Sequence, residues 1–493
     1  MVTTARPLSM IDGQPCTTDT TSDFAPGIER AFELHPPERC YSIEDMEGDI
    51  PTFLVGTYFL NGPAQFSHAG MRYRHWLDGD GMVCSLRFDH HDVRFTNRFV
   101  RTTKFTSEQK AARPLFRTFG TAFDGDILNH GMALESPANV SVYPFHGKLL
   151  AFGEQALPWE LNPLTLETIG QFNFGGALSE VAPFSAHPKF DPATGEMFNF
   201  GVFFAGRAPK LCLYSFDQTG KPRSRTHHEL PYRSLMHDFG ISRNYAVFYV
   251  SPLLLDAEKM IRGGRSLMEC LTWQPERGSS LLVMDRYSGR QVACAPIGSK
   301  YCLHMINCFE REGELVVDVL ELDRPVYDQY EPLPNLFSNV AWGKPVRLVV
   351  DTERSDVVAR QESEYRSAPD FPALDPSSYG RHYQEFWMLD LSKAGRLGRK
   401  FFDQLVHASW RGEPLDIFHA LPRHYLGGEP IFVGGPEADQ GVVICQQFDA
   451  DRLRSSFLIF DAFNVAGGPL ASLRLKDAIP LGFHASFLTS EGR

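Results

Sequence analysis

Residues 183–204 read PFSAHPKFDPATGEMFNFGVFF. A turn with an acidic residue shortly before a glycine separates His187 from the short apolar run Met197–Phe204, which is too brief for a helix and has the aromatic content of a strand. The same kind of turn recurs as SFDQTGKP at 215–222, MDRYSGRQ at 284–291 and MLDLSKAGR at 388–396, with a shorter relative, ERGSSLL, at 276–282. Each flanks a strand candidate, as hairpins at the outer edges of propeller blades would. Further candidates are Leu149–Phe152, Leu211–Phe216, Tyr245–Val250, Leu281–Met284, Leu315–Leu320, Val346–Val350, Val442–Cys445 and Phe457–Phe460. Only Ser107–Arg113 and Asp256–Arg262 hold a helical period. The turn spacing is irregular, unlike a WD40-type repeat. The pattern predicts an all-β chain, a propeller first and a two-sheet sandwich second, since nearly 500 residues are many for a sandwich.

At 493 residues, a prior of about 150 residues per domain suggests roughly two to four domains. A closed all-β architecture can nevertheless run as one. The reading is therefore a polar leader over 1–35, with few apolar anchors, and a single domain over 36–493. Phe, at 39 residues, outnumbers Tyr and Trp together, which suits a large core and also the walls of an apolar tunnel. The net charge of −12 comes without a long run of either sign, and the absence of a basic stripe argues against nucleic acid. Nine cysteines, an odd number without a CxxC pair, indicate a reduced, cytoplasmic chain rather than a disulfide framework. The first residues lack the apolar stretch of a signal peptide, and no apolar run approaches the roughly 20 residues of a spanning helix.

GxSxG, HExxH, GxGxxG and Walker-type loops are absent, which removes common hydrolase, zincin and dinucleotide readings. Asp78-Gly79-Asp80-Gly81 resembles the start of a calcium loop, but Met82 stands where a third oxygen ligand belongs, so a tight hairpin turn is expected. Among 17 histidines, the pairs His90–His91 and His227–His228 lie in polar surroundings and are read as solvated. Four others lie in apolar segments near strand edges: His187, His237 in SLMHDFGIS, His304 in YCLHMINCFE and His484 in PLGFHASF. They are separated by 50, 67 and 180 residues, so only a fold that brings distant strands to one axis unites them. On pattern alone, a shared metal site and buried structural histidines both remain open.

The segments AHPKFDP, MHDFGIS, HMINCFE and GFHASF resemble, in order, the iron-ligand motifs of the carotenoid cleavage oxygenase family. So do YFLNGPAQF at 58–66, HWLDGDGMV at 75–83, LNPLTLETIG at 161–170 and GEPIFVGGPEADQGVV at 428–443. The resemblance runs from about Val55 to Phe487. It implies a seven-bladed β-propeller with short helices and loops capping an axial Fe(II), held by His187, His237, His304 and His484. It also implies carboxylates behind three of the imidazoles, matching Glu154, Asp370 and Glu429 here. Asp370 departs from the family's usual Glu. So short a carboxylate must draw the backbone closer or reach its imidazole through water.

The implied reaction is oxidative cleavage of a conjugated double bond by O2 to two carbonyl products, with no side-chain acid, base or nucleophile required. The stilbene-cleaving branch resembles a phenol-gripping pattern with a Lys just before the first carboxylate and a Tyr upstream. The matching residues here are Gly153 and Phe105, so an apolar polyene, a carotenoid or apocarotenoid, is the expected substrate. Val140 falls where family members often carry Thr beside the iron. An aliphatic group there would crowd the open coordination site, which keeps a polyene isomerase as an alternative, beside a stilbene- or phenylpropanoid-cleaving oxygenase and a non-catalytic binding propeller. Leu253, Leu254, Leu255, Met260 and Ile261 surround Lys259 and Arg262. That composition suits either a short helix making peripheral membrane contact or an ordinary blade-connecting helix.

Overall fold

A computed structural model describes residues 25–490 apart from 90–91, 205–207, 327–331, 334, 338–339, 366, 393–400 and 413–415. Seven antiparallel sheets form the blades of a propeller, and two-stranded hairpins such as Leu253–Leu255 with Leu271–Trp273 lie outside them. Eight of the nine sequence-predicted strands named above fall within strands, and the ninth, Met197–Phe204, overruns its strand by one residue. Within a blade the character of the strands changes outward. Gly56–Gln65 is buried on both faces along almost its whole length, whereas the outermost strand Pro222–Glu229 alternates exposed and half-buried residues. The strand second from the axis is therefore buried on both faces, whereas those at the rim read as polar alternations.

The core lies between successive blades. Phe198, Phe200, Leu211 and Leu213 of one blade pack against Phe239, Phe248, Leu282 and Met284 of the next. The ring closes in both directions. Near the C-terminus, Ala485–Thr489 becomes the innermost strand of the first blade by pairing with Gly56–Gln65, while Met46–Gly48 adds the outer strand of the last blade beside Pro469–Arg474. Two glycines permit the first closure. A Cβ on Gly62 would stand 2.5 Å from the Gly482 Cα. Gly62→Ala is therefore expected to cost about 1–3 kcal/mol through overpacking of backbone on backbone, read as a lower denaturant midpoint.

Several expectations change in the structure. The turns at 215–222 and 284–291 do join the two outer strands of their blades, but the turn at 190–197 joins the two innermost strands. Residues 25–33, assigned to the loose leader, are packed: Ala25, Ile28 and Ala31 are buried, and the Tyr425 hydroxyl donates to the Pro26 carbonyl at 2.9 Å. Residues 1–24 lie outside the described residues. Asp78-Gly79-Asp80-Gly81 is not a hairpin turn but a 3-10 turn, Trp76–Asp78, running into the strand Asp80–Phe88. The Asp78 carboxylate accepts the Gly120 N–H at 2.7 Å and the Thr121 hydroxyl at 2.6 Å, which pins a loop of the cap to the blade.

Candidate metal centre

The seven strands nearest the axis are Ala485–Thr489, Ser141–Phe145, Lys189–Phe190, Gly240–Ile241, Tyr301–Arg311, Asp370–Ala373 and His424–Gly434. At or just before each stands one of the residues singled out in the sequence: His484, Val140, His187, His237, His304, Asp370 and Glu429. Ladder register breaks at three of these places, between Cys302 and Met305, between Asp370 and Ala373, and between Gly427 and Ile431. Such irregularities let a side chain leave the pleat and point along the axis.

The four imidazoles converge. Nε2 of His187 lies 2.9 Å from Nε2 of His237, which lies 3.1 Å from Nε2 of His304. His484 completes the group, its ring centroid 4.4 Å from that of His187 and 4.9 Å from that of His304. One nitrogen from each lies within 4.8 Å of those of the others. Imidazole nitrogens about 2.1 Å from one ion and at right angles to each other would stand about 3.0 Å apart. The observed separations fit that requirement.

Carboxylates stand behind three rings. Nδ1 of His237 lies 2.8 Å from Glu154 Oε1, Nδ1 of His304 2.5 Å from Asp370 Oδ1, and Nδ1 of His484 3.3 Å from Glu429 Oε2. These contacts orient the rings with Nε2 toward the centre. His187 Nδ1 lies farther from its carboxylate neighbour, 3.9 Å from Asp238 Oδ1. That oxygen accepts from the Lys189 ammonium at 2.7 Å and from the Phe239 N–H at 2.8 Å, while Oδ2 accepts from the Met305 N–H at 2.9 Å. Burial, reinforced by neighbouring imidazoles, holds His187 and His484 well below the usual histidine range, which keeps them in the neutral, ligating form. Burial also pulls His237 down, but the Glu154 carboxylate more than reverses this. Burial pushes the Glu429 carboxyl up to about 7.

Asp370 meets His304 directly rather than through water. Its strand bulges, and Phe371 adopts φ +52°, a left-handed conformation that side chains other than glycine rarely take. The Phe371 N–H donates to Asp370 Oδ1 at 2.9 Å, and its ring lies 5.5 Å from that of His304 and 5.0 Å from that of His484. The bulged backbone places this shorter carboxylate directly against the imidazole. Asp370→Glu would insert a methylene where none fits, so metal affinity should fall rather than improve, about tenfold; Asp370→Asn should lower it about 10–100-fold. Metal-competition titration checks both.

The imidazoles separate two cavities. One is walled by Trp76, Phe337, Phe371, Phe401, Phe402 and Phe483, and reaches His237, His304 and His484. Val140, buried, lines it beside those imidazoles. The other follows the propeller axis past Tyr143, Lys189, Asp238, Asn307, Tyr379 and Glu429. The aromatic wall was foreshadowed by the Phe-rich composition, though no local pattern identified its members.

Other sequence-based assignments are overturned. Neither Phe105 nor Gly153 is among the described residues that line the aromatic cavity. Phe105 stacks on Phe99 with centroids 5.1 Å apart and so fastens the helix Thr103–Ala111 to the first blade. Gly153 faces Ser136, whose Oγ would lie 2.1 Å from an added Cβ. Lys104, next to Phe105, is fully buried, its ammonium 2.8 Å from Asp80, 2.9 Å from Glu108 and 3.1 Å from the Tyr73 hydroxyl. It occupies the cation position among His68, Asp80 and Glu108, a second cluster with metal-like spacing, and ties the helix down. The apolar stretch at 253–261 does not form a surface patch: Leu253, Leu255 and Met260 are buried, Leu254 is half-buried, and of the five only Ile261 is exposed. These side chains turn inward because Leu253–Leu255 pairs with Leu271–Trp273 and the helix Ala257–Arg262 packs Met260 against Leu255 and Cys270. No helix among the described residues is long and apolar enough to cross a membrane. His227 and His228 lie on an outermost strand, His227 exposed and His228 half-buried, and His90 and His91 fall outside the described residues.

The model of the retinal pigment epithelial membrane protein family matches residues 32–489. An apocarotenoid-15,15'-oxygenase from Synechocystis is 28% identical over 97% of this chain and 99% of its own length. An isoeugenol monooxygenase from Pseudomonas nitroreducens is 28% identical over 90% of this chain and 94% of its own. A solved structure of a Synechocystis apocarotenoid oxygenase mutant superimposes with a TM-score of 0.87 at 28% identity, covering 95% of this chain and all of that one.

Proposed function

This chain belongs to the retinal pigment epithelial membrane protein family, and we propose that it is an iron(II) oxygenase that cleaves a conjugated carbon–carbon double bond of a carotenoid or apocarotenoid. The reaction joins one O2 to one double bond and yields two carbonyl products. The observation that carries the reading is an aromatic cavity that ends on the four-imidazole centre. Imidazole donors suit iron, and bound iron would supply the binding and activation of dioxygen.

The chain's own residues supply the rest. His187, His237, His304 and His484 would hold the ion, and Glu154, Asp370 and Glu429 orient three of those rings. Phe371 covers the rings of His304 and His484 and shields them from water. The aromatic wall holds an extended apolar chain without a polar anchor, since burial at about 25 cal/mol per Å2 suffices for affinity. Incubating the iron-loaded protein with a panel of apocarotenals and identifying the aldehydes by mass tests the proposal. Two carbonyl fragments whose carbon numbers sum to that of the substrate support it. A substrate recovered whole but with a double bond isomerised would instead favour the isomerase alternative that Val140 raises.

A second reading, cleavage of a phenylpropanoid or stilbene side chain, is favoured by the isoeugenol monooxygenase relative. Against it, the described lining of the cavity contains no Lys, Arg or Tyr that could meet a phenolate. Peripheral contact with a membrane, from which a polyene would be drawn, belongs to the proposal only through the substrate. The buried side chains of 253–260 do not supply it.

A further inference from the structure

Three ligand imidazoles have a carboxylate within 3.3 Å of Nδ1, and the fourth, His187, does not. The reason lies two residues further along the chain. His187 and Lys189 are spaced i, i+2, so in extended backbone they point to the same side, here the axial channel. There the Lys189 ammonium binds Asp238 Oδ1 at 2.7 Å, the very oxygen that stands 3.9 Å from His187 Nδ1. The Phe239 and Met305 N–H groups take up the rest of that carboxylate. Asp238 is itself the neighbour in sequence of the ligand His237, so its place beside the centre is fixed by the backbone. A carboxylate behind an imidazole raises its donor strength. Lys189 both draws this one aside and cancels its charge.

We propose that Lys189 is a positioning residue of the metal centre: by holding and neutralising Asp238, it keeps His187 the weakest donor of the four ligands. The inference rests on the iron-centre reading above. One imidazole that binds loosely gives the centre a ligand able to yield when dioxygen or substrate crowds the site, and it limits the negative charge that would otherwise favour the ferric ion.

Four variants of the full-length protein, loaded with Fe(II) without oxygen, test this through iron release to excess bipyridyl and through the ferric–ferrous potential. In Lys189→Met the unneutralised Asp238 carboxylate should strengthen His187, so release slows about tenfold and the ferric form is favoured. Lys189→Arg should behave as wild type. Asp238→Asn leaves an ammonium without its counter-charge near the ion and should speed release about tenfold. The double variant Lys189→Met with Asp238→Asn should return close to wild type, because both charges are gone. Release and potential unchanged in both single variants would overturn the proposal, and so would a double variant that behaves like Lys189→Met alone. If Lys189→Met does not fold, Asp238→Asn against Lys189→Arg still decides. Wild-type protein that takes up no Fe(II) at all would defeat the iron reading itself, a result distinct from either of these.

Discussion

His237→Ala is expected to leave the purified protein with almost no iron, against about one ion per chain in wild type. The expected loss exceeds that of any carboxylate change because it removes a donor outright, the His237 imidazole. Its Nε2 is 2.9 Å from that of His187 and 3.1 Å from that of His304, and its removal also leaves Glu154 without the ring it faces. Disturbing a carboxylate behind a ligand typically lowers affinity about 10–100-fold, and deleting the ligand should go beyond that. Cleavage should fall with iron content, while the circular dichroism of the β-fold persists, because the strands depend on blade packing and not on the ion. Metal analysis with parallel spectra checks both. A wild-type protein that holds stoichiometric zinc, takes up no iron and stays inactive after Fe(II) loading would remove the oxygenase reading.

The second large effect concerns substrate class. Wild type should turn over an apocarotenal at least about 100-fold more efficiently than a 4-hydroxystilbene, measured as kcat/KM. A phenol carried into a cavity whose described lining offers no Lys, Arg or Tyr to meet it forfeits about 1–3 kcal/mol, and each 1.4 kcal/mol is about tenfold. The polyene loses nothing of the kind against Trp76, Phe337, Phe401 and Phe483, and its greater apolar length buries more surface. The shortfall for the stilbene should appear mainly in KM, since an unmade ground-state contact lowers binding without altering the bond over the metal. Faster cleavage of the hydroxystilbene would reverse the assignment. Introducing Lys at Gly153 would not be a clean converse test, because the Ser136 hydroxyl leaves no room for a Cβ there.

Much of the centre was legible before any coordinates. Strand runs such as Tyr245–Val250 and Phe457–Phe460 declare themselves by apolar length and flanking turns, which are local properties of the chain. The four histidines stand out by their apolar surroundings, and their order, with Glu154 and Glu429, follows from motif resemblance. The helix Ala257–Arg262 was likewise legible from its period.

The failures share one cause. The apolar residues of 253–261 and the aromatic Phe105 have the composition of a membrane patch and of a tunnel wall, but composition does not say which way a side chain points. Pairing with Leu271–Trp273 turned the first inward, and stacking on Phe99 turned the second toward a blade. Residues alone determined an all-β chain with a propeller as the first choice, because strand periodicity and turn chemistry act over a few neighbouring residues, whereas the convergence of the four histidines was implied only by the motif resemblance. Only the tertiary structure decided that Asp370 meets its imidazole directly, that Lys189 withholds Asp238 from His187, and which phenylalanines wall the cavity at the imidazoles. Each of those depends on the register and bulging of strands far apart in sequence, where a shift of one residue sends a side chain to the opposite face.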